Sequence, residues 1–367
     1  LCKRWHWQAV APTITIYFNP IAIHMKLETI TIKDIAKALN LSYSTVSRAL
    51  KGSYKISEAT REMVKQYASE HHYRPNLMAQ SLKNKKSRCI GVVLCSIPNS
   101  FFAEVISGIE SIAYSQDYLL IITQNLESYE REVKNLENLT WRSVDGLLVS
   151  LSTETTDISH FKRLHDQGLP IVFFDRVTDN IKTHQVVTDN IGGTCNAIRH
   201  LIERGYKRIA TITSSPHISI TRERLEGYKK ALTEHNMPVN DHYIKYCSHG
   251  GMVMDEIETA VETLLQSNEP PDALFTASDR ITIGTYSLLT KKGLKIPDEI
   301  AVAGFSNFGD PDLFNPSLTT VRQSAFEMGK LATELLIQLI ESKRPVTTFE
   351  KKVLPTELII RSSTNAK

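Results

Sequence analysis

From residue 31 onward the chain alternates between two hydrophobic rhythms. In TIKDIAKALN, Ile32, Ile35, Ala36 and Leu39 recur at helical spacing, with Thr31 placed to cap the first turn. A short break, Asn40-Leu41-Ser42, precedes YSTVSRAL. There Val46 and Leu50 stand four apart, while Tyr43, Ser44, Ser47 and Arg48 take the opposite face. A third helix is predicted from Ser57 through SEATREMVKQYASEHHY, with Ala59, Met63, Val64 and Tyr67 on its inner side. In HYRPNLMAQSLKNKKS, Pro75 and Asn76 signal the start of a short helix reaching Leu82, with Lys83, Lys85 and Lys86 crowding its end.

Beyond residue 88 the pattern changes. CIGVVLC, YLLIIT, DGLLVSL and PIVFF read as buried strands, separated by the amphipathic helices FFAEVISGIESIAYS, SYEREVKNLENLTW and ISHFKRLHDQG. The alternation resumes with IRHLIERG, KRIATIT, RLEGYKKALTEH, IETAVETLLQS, DALFTAS, ITIGTYSLLTKKG and EIAVAGF. Strand–helix alternation at this spacing implies parallel sheets covered by helices on both faces. A change of register near residues 180–190 divides them into two α/β lobes with a cleft between.

Two short helices joined by a tight turn make a helix-turn-helix, whose second helix enters the major groove of DNA. That explains the hydroxyl-rich start of YSTVSRAL. Tyr43 and Ser44 can meet base edges, and Arg48 can contact guanine with both ends of its guanidinium. Ser42, Thr45 and Ser47, with the helix N-terminus, can hold phosphates. Charge agrees: residues 25–88 carry 13 Lys/Arg against 5 Asp/Glu, although the whole chain has a net charge of only +3. An apolar residue beside lysines on the short fourth helix could wedge into a minor groove or pack on a symmetry mate.

The remaining observations exclude more than they assign. No run of 18 apolar residues offers a membrane span, and residues 1–24 make a poor signal peptide because Pro12 and Asn19 interrupt their apolar stretch. That segment is expected to be a disordered or non-native extension. Cys2, Cys89, Cys95, Cys195 and Cys247 form no CxxC pair, which argues against zinc and disulfides and fits a reducing cytoplasm. SIPNSFFAE follows the first strand where a nucleotide-binding fold would carry a glycine-rich loop. Asp189-Asn190-Ile191-Gly192-Gly193 reads as a helix cap, and no nucleophile elbow or HExxH appears. No enzyme, metal or cofactor is therefore expected; among the histidines, His249 alone is a candidate for the cleft.

TIKDIAKALNLSYSTVSRALKGSYKISEATREMV and YRPNLMAQSLKNKKS together resemble the headpiece and hinge of the lac repressor/galactose repressor family of bacterial transcription regulators. IGVVLCSIPNSFFAE, VDGLLVS, LPIVFFDR, ERLEGYKKAL, ASDRITIGTY, IPDEIAVAGFSN and NPSLTTVRQSAFEMGKLA resemble its effector domain, which is shaped like a type I periplasmic sugar-binding protein. The resemblance runs from about Thr31 to Arg361. It implies base reading by Tyr43, Ser44 and Arg48, a minor-groove wedge at Leu82, and a hinge helix carrying Asn76 and Ala79. It also nominates Phe101, Phe102, Asp175, Arg176, Arg224, Asp279, Ser306 and Gln323 as the effector site. Ser306 departs from the aspartate many members carry, which weakens the case for a simple hexose.

The expected organisation is thus an extension over 1–24, an all-α helix-turn-helix headpiece over 25–74, a hinge and linker over 75–88, and a two-lobed α/β effector and dimerisation domain over 89–367. The expected partners are double-stranded operator DNA, a small effector (a sugar, a sugar derivative or a nucleobase) and a second copy of the chain. The chain closes soon after ELIIRSSTNAK without heptads, so no coiled-coil tetramerisation segment is expected. The rival reading, a periplasmic-type solute-binding protein, would want an export signal and no headpiece.

Overall fold

The computed structural model describes residues 30–73, 86–310 and 313–365. They fall into two compact units that divide between residues 80 and 81. The first holds three helices. Thr31 and Asp34 cap α1 (Ile32–Ala38) reciprocally: the Asp34 amide donates to Thr31 Oγ1 at 3.3 Å and the Thr31 amide donates to Asp34 Oδ2 at 2.8 Å. The helix is closed by Asn40 in the left-handed region (φ 52°), with the Leu41 amide returning to the Ala36 carbonyl at 2.9 Å. Ser42 then caps α2 (Tyr43–Leu50), accepting from the Thr45 amide at 3.1 Å.

After α3 (Glu58–Glu70) the unit closes around Ile35, Ala36, Val46, Ala49, Val64 and Ala68. Three alanines in so small a core let the helix axes approach closely. One expectation is corrected here. Ala59 is exposed and Met63 is 42% exposed; the inner face of α3 is Val64 and Ala68, four apart, with Tyr67 beside them. A helix turns about 100° per residue, so centring the face on Val64 carries Met63 out of the core. Ser42→Ala removes the α2 cap and is expected to destabilise the unit by about 1 kcal/mol, seen as faster hydrogen exchange across α2.

The second unit begins with β1 (Cys89–Leu94), α4 (Ser100–Ser115), β2 (Leu119–Gln124), α5 (Tyr129–Trp141), β3 (Gly146–Val149), α6 (Ser159–Asp166), β4 (Ile171–Phe174) and β5 (Gln185–Thr188). It continues through α7 (Asn190–Glu203), β6 (Ile209–Ser214), α8 (Ser219–Glu234), β7 (Ile244–Cys247), α9 (Met254–Leu265), β8 (Ala273–Thr276), α10 (Asp279–Lys291), β9 (Ala301–Phe305) and β10 (Thr319–Gln323). The chain then returns to the first lobe as α11 (Ala325–Glu341) and β11 (Lys351–Leu354), and ends on the second with β12 (Thr356–Ile359). The two six-stranded sheets run β2-β1-β3-β4-β5-β11 and β7-β6-β8-β9-β10-β12. Every pairing is parallel except β10 with β12. Strands such as IVFF and AVAGF are buried on both faces, as parallel sheets between helix layers require.

Three segments cross between the lobes, and they are tied to one another. Asp189, between β5 and α7, caps α7 through the Gly192 amide at 2.8 Å, and its own amide donates to the Leu354 carbonyl at 2.8 Å. Gln323, at the end of β10, donates from Nε2 to Thr188 Oγ1 at 3.0 Å. The helix-cap reading of Asp189 holds. In the first lobe α4 and α11 lie against each other over one face of the sheet, burying Phe101, Phe102, Val105, Met328 and Ala332 in one core. Gly108 and Gly329 stand at their crossing: a Cβ on Gly108 would collide with the Phe326 carbonyl, and one on Gly329 with the Val105 carbonyl.

Candidate functional site

Two surfaces carry chemistry, one on each unit. On the first, α2 presents its polar face: Ser42, Tyr43, Ser44 and Arg48 are exposed, Thr45 and Ser47 half-buried. Tyr43 is 56% exposed, an unusual position for an aromatic ring in a small domain. The hydroxyls of Ser42, Ser44 and Thr45 bond one another at 2.8–2.9 Å, so they form one connected edge at the helix N-terminus. Arg48 extends from the same helix in its last turn. Asn76, Ala79, Leu82 and Lys83, expected on the hinge, lie outside the described residues.

Lys86 and Arg88, at the end of the basic segment, make ion pairs within the second unit. They pair with Glu341 at 2.6 and 3.3 Å, while the Ser87 and Arg88 amides donate to Asp145 at 2.7 and 2.8 Å.

On the second unit the carboxyl ends of both parallel sheets face one cleft, where open α/β sheets place their ligands. Asp175 leaves β4 in the left-handed region (φ 57°) and is buried. Burial pushes its carboxyl above the ordinary aspartate range, against the pull of Arg176 and Arg224. Arg176 donates from Nη1 to Glu127 at 2.7 Å and to Cys95 Sγ at 3.0 Å. Arg224, reaching in from α8, donates to Asn190 Oδ1 at 2.8 Å, the Ala277 carbonyl at 2.6 Å and Gln323 Oε1 at 3.3 Å. Its guanidinium lies 3.7 Å from the centre of the Phe305 ring. Burial brings its pKa down to about 10, still well above neutrality.

Asp279 accepts from the Ser306 hydroxyl and from the Ser100 and Asn307 amides, and burial nevertheless raises its pKa. Ser306, which departs from the family's aspartate, thus hands its hydrogen bond to an acid directly behind it. Phe101 and Phe102 sit edge to face in the first lobe's core, 5% and 4% exposed.

The lobes are joined across the cleft. Arg280 donates to Ser96 Oγ at 2.6 Å, Val177 N to Ser219 Oγ at 3.2 Å, and Glu104 accepts from Asn307 and Arg322 at 3.0 Å each. Sequence reasoning missed Glu104, Glu127, Asn190, Arg280 and Asn307. Four of them stand beside residues the sequence did single out, Glu104 near Phe102, Asn190 after Asp189, Arg280 after Asp279 and Asn307 after Ser306, but only the fold shows that they meet at the cleft. His249 pairs with Glu256 at 2.8 Å on the surface.

A further group was also invisible in the sequence. Ser150, Thr153, Thr213, Ser214, Thr221 and Ser278 have buried hydroxyls with no hydrogen-bond partner among the described residues. They lie at or beside the carboxyl ends of β3, β6 and β8, from both lobes. Buried polar groups are nearly always paired, so these hydroxyls are open to partners that the described residues do not supply. Among the described residues no cluster of His, Cys, Asp and Glu could hold a metal ion, and no helix is long and apolar enough to cross a membrane.

Residues 31–76 match the model of bacterial regulatory proteins of the lacI family, and residues 198–364 that of the periplasmic binding protein-like domain. The HTH-type transcriptional repressor PurR of Vibrio atlanticus is 32% identical over 335 residues, covering 91% of this chain and 98% of that protein. The chain belongs to the lacI family of bacterial regulatory proteins. Solved structures of the family agree. The lac repressor dimer bound to operator and the anti-inducer ONPF aligns at a TM-score of 0.78 and 25% identity, over 92% of this chain and all of that one. The transcriptional regulator CelR–cellobiose complex aligns at 0.67 and 28% identity, over 91% of this chain and 99% of that one.

This lacI-family protein is accordingly a sequence-specific DNA-binding regulator with an allosteric ligand-binding domain, and not an enzyme. Within it, Asp175 carries a testable signature. A carboxyl raised in the folded protein holds its proton more tightly than in the unfolded chain. Stability therefore falls as pH rises from the ordinary aspartate range through the raised folded value, and stays lower above it. Asp175→Asn, tolerated in the left-handed region, is expected to remove that fall and to melt higher than the parent at neutral pH in a series of thermal melts.

Proposed function

We propose that the protein is a cytoplasmic, homodimeric repressor that grips a near-palindromic operator and is switched by a small, hydroxyl-rich effector held between the lobes. Tyr43, Ser44 and Arg48 read bases; Ser42, Thr45 and Ser47 hold phosphates; Asn76, Ala79, Leu82 and Lys83 serve the hinge on the operator. Asp175, Arg176, Arg224, Asp279, Ser306 and Gln323 frame the effector, with Phe101 and Phe102 forming the wall behind it.

The observation that carries the effector half is the set of buried, unpartnered hydroxyls at or beside the carboxyl ends of strands from both lobes. A sugar or sugar derivative supplies donors and acceptors to such hydroxyls in a way a flat apolar molecule does not. The relatives support the rest: one is a repressor by name, one was solved as a dimer on operator, and one as a complex with cellobiose. Because these hydroxyls come from two lobes, a bound molecule shifts the balance between lobe arrangements only through its different contacts in each.

Footprinting of the purified protein on its own upstream region tests this reading. A two-fold symmetric protected site is expected, with protection changing when an effector is added. Absence of any protected site at moderate salt would overturn the operator assignment.

A further inference from the structure

In the first lobe every strand runs parallel to its neighbours, so all six strands begin at one end. The helices that lead into them must return to that end, and α4, α5, α6 and α11 finish there. The chain enters the lobe at the same end, after residues 74–85, which join it to the three helices of the first unit. The contacts of Lys86, Ser87 and Arg88 with Glu341 and Asp145 tie this entry to the end of α11 and to the turn after α5.

Most carboxylates at this end are engaged. Asp145 accepts from two amides, Glu341 holds Lys86 and Arg88, Asp166 accepts from Lys162 at 2.7 Å, and Glu350 pairs with Lys352. Asp117 is exposed and has no cation partner among the described residues. Against it stand exposed cations that meet no carboxylate among the described residues. They are Arg142 after α5, Arg163 in the last turn of α6, Lys182 before β5, and Lys343 and Arg344 after α11. The last two ride on a closed turn: the Ser342 hydroxyl donates to the Arg344 carbonyl at 2.6 Å and accepts from the Arg344 amide at 3.4 Å.

A cation just past a helix complements the helix dipole. That accounts for Arg142, Lys343 and Arg344 one at a time, but not for Lys182, which follows no helix. Composition argues further. Residues 89–367 carry 28 Lys/Arg against 35 Asp/Glu, so a surplus of free cations at one end runs against the charge of the body as a whole. Such a group raises a positive potential that extends about 8 Å into physiological salt.

We propose that this end of the first lobe is a second DNA-contacting surface, which holds backbone phosphates flanking the operator. It depends on the headpiece binding DNA and on nothing about the effector. DNA is the polyanion the chain itself delivers. A duplex held by the headpiece is tethered to the lobe through residues 74–85, which raises its effective concentration at this end. Phosphate contacts carry no sequence information, so the surface strengthens binding everywhere along a duplex and leaves base reading to α2.

The test is fluorescence anisotropy of the full chain on a labelled 40-bp duplex of arbitrary sequence, from 50 to 250 mM salt. The double variant Lys343→Gln/Arg344→Gln is expected to bind about tenfold more weakly at 100 mM salt. Its slope of log affinity on log salt should be shallower by about two, since each phosphate contact contributes about 0.9. Lys229 and Lys230 are exposed on α8, in the second lobe. Lys229→Gln/Lys230→Gln therefore removes the same charge elsewhere and is expected to leave both quantities unchanged. Melting temperatures equal to the parent's certify the fold of both variants. An unaffected Lys343→Gln/Arg344→Gln overturns the surface. Equal losses in the two double variants also overturn it, by assigning the effect to net charge. So does a weaker affinity with an unchanged slope, which excludes phosphate, or a parent that fails to bind the duplex at 50 mM salt. The footprint decides the operator reading separately.

Discussion

Alanine at Arg48 is expected to lower operator affinity tenfold to a hundredfold, about 1–3 kcal/mol, and to relax preference at one guanine position. Arg48 stands on the exposed face of α2, opposite the Val46 and Ala49 contacts that fix the helix to the core. Removing its side chain therefore leaves the fold intact, and the loss falls on recognition. A base-reading arginine differs from a phosphate-holding one in its salt response. The dependence of log affinity on log salt should stay close to the parent's, because few counterions are released at a base edge. Fluorescence anisotropy on the operator and on a guanine-substituted operator, each at several salt concentrations, measures both quantities. A loss equal on both sequences, with a shallower slope, would reassign Arg48 to phosphate.

The second large effect concerns stability. Gly329→Ala, or Gly108→Ala, is expected to destabilise the second unit by about 1–3 kcal/mol or more, since a methyl group at the α4–α11 crossing meets backbone carbonyls that cannot swing aside. In an exposed helix the same change would be worth up to about 1 kcal/mol in the opposite direction, because alanine is the better helix former. The sign of the measured change thus reports how closely the helices approach. Urea unfolding followed by far-UV circular dichroism gives it directly. The crossing fixes where α11 sits under the first lobe, so a soluble Gly329→Ala protein is also expected to respond less sharply to effector.

How far these features could be read from residues alone varied with their physics. The headpiece was legible because helix caps and i, i+4 apolar pairs are local: Thr31, Ser42 and Val46 all act where the chain placed them. Met63 and Val64 show the limit, since two adjacent apolar residues leave the core face undecided until a neighbouring helix selects one.

In the body, strands with unbroken apolar runs were evident, while β11 and β12, with partly exposed alternating residues, were not. They are strands because β5 and β10 offer them edges, which is a property of the fold. The cleft divides along the same line. Asp175, Arg176 and Arg224 were nominated by family position; Glu127, Asn190 and the open hydroxyls came together only through strand order. Phe101 and Phe102, prominent in the sequence, take places in the first lobe's core, where only the packing shows which neighbours they meet.

The return of the chain to its first lobe governs the order in which the protein can be made. Synthesis runs from the N-terminus, and the headpiece, whose three helices close a core of their own, can fold as soon as it clears the ribosome. The first lobe must wait. Its sheet lacks the strand Lys351–Leu354 and its core lacks the helix Ala325–Glu341 until the whole second lobe has been translated. A nascent chain therefore carries a folded DNA-binding head long before it has a regulatory body. Any truncation upstream of Leu354 releases that head with both lobes unfinished. Quality control of such fragments would fall to the exposed edges of β5 and β10, which in the finished protein are covered by the last two strands to appear.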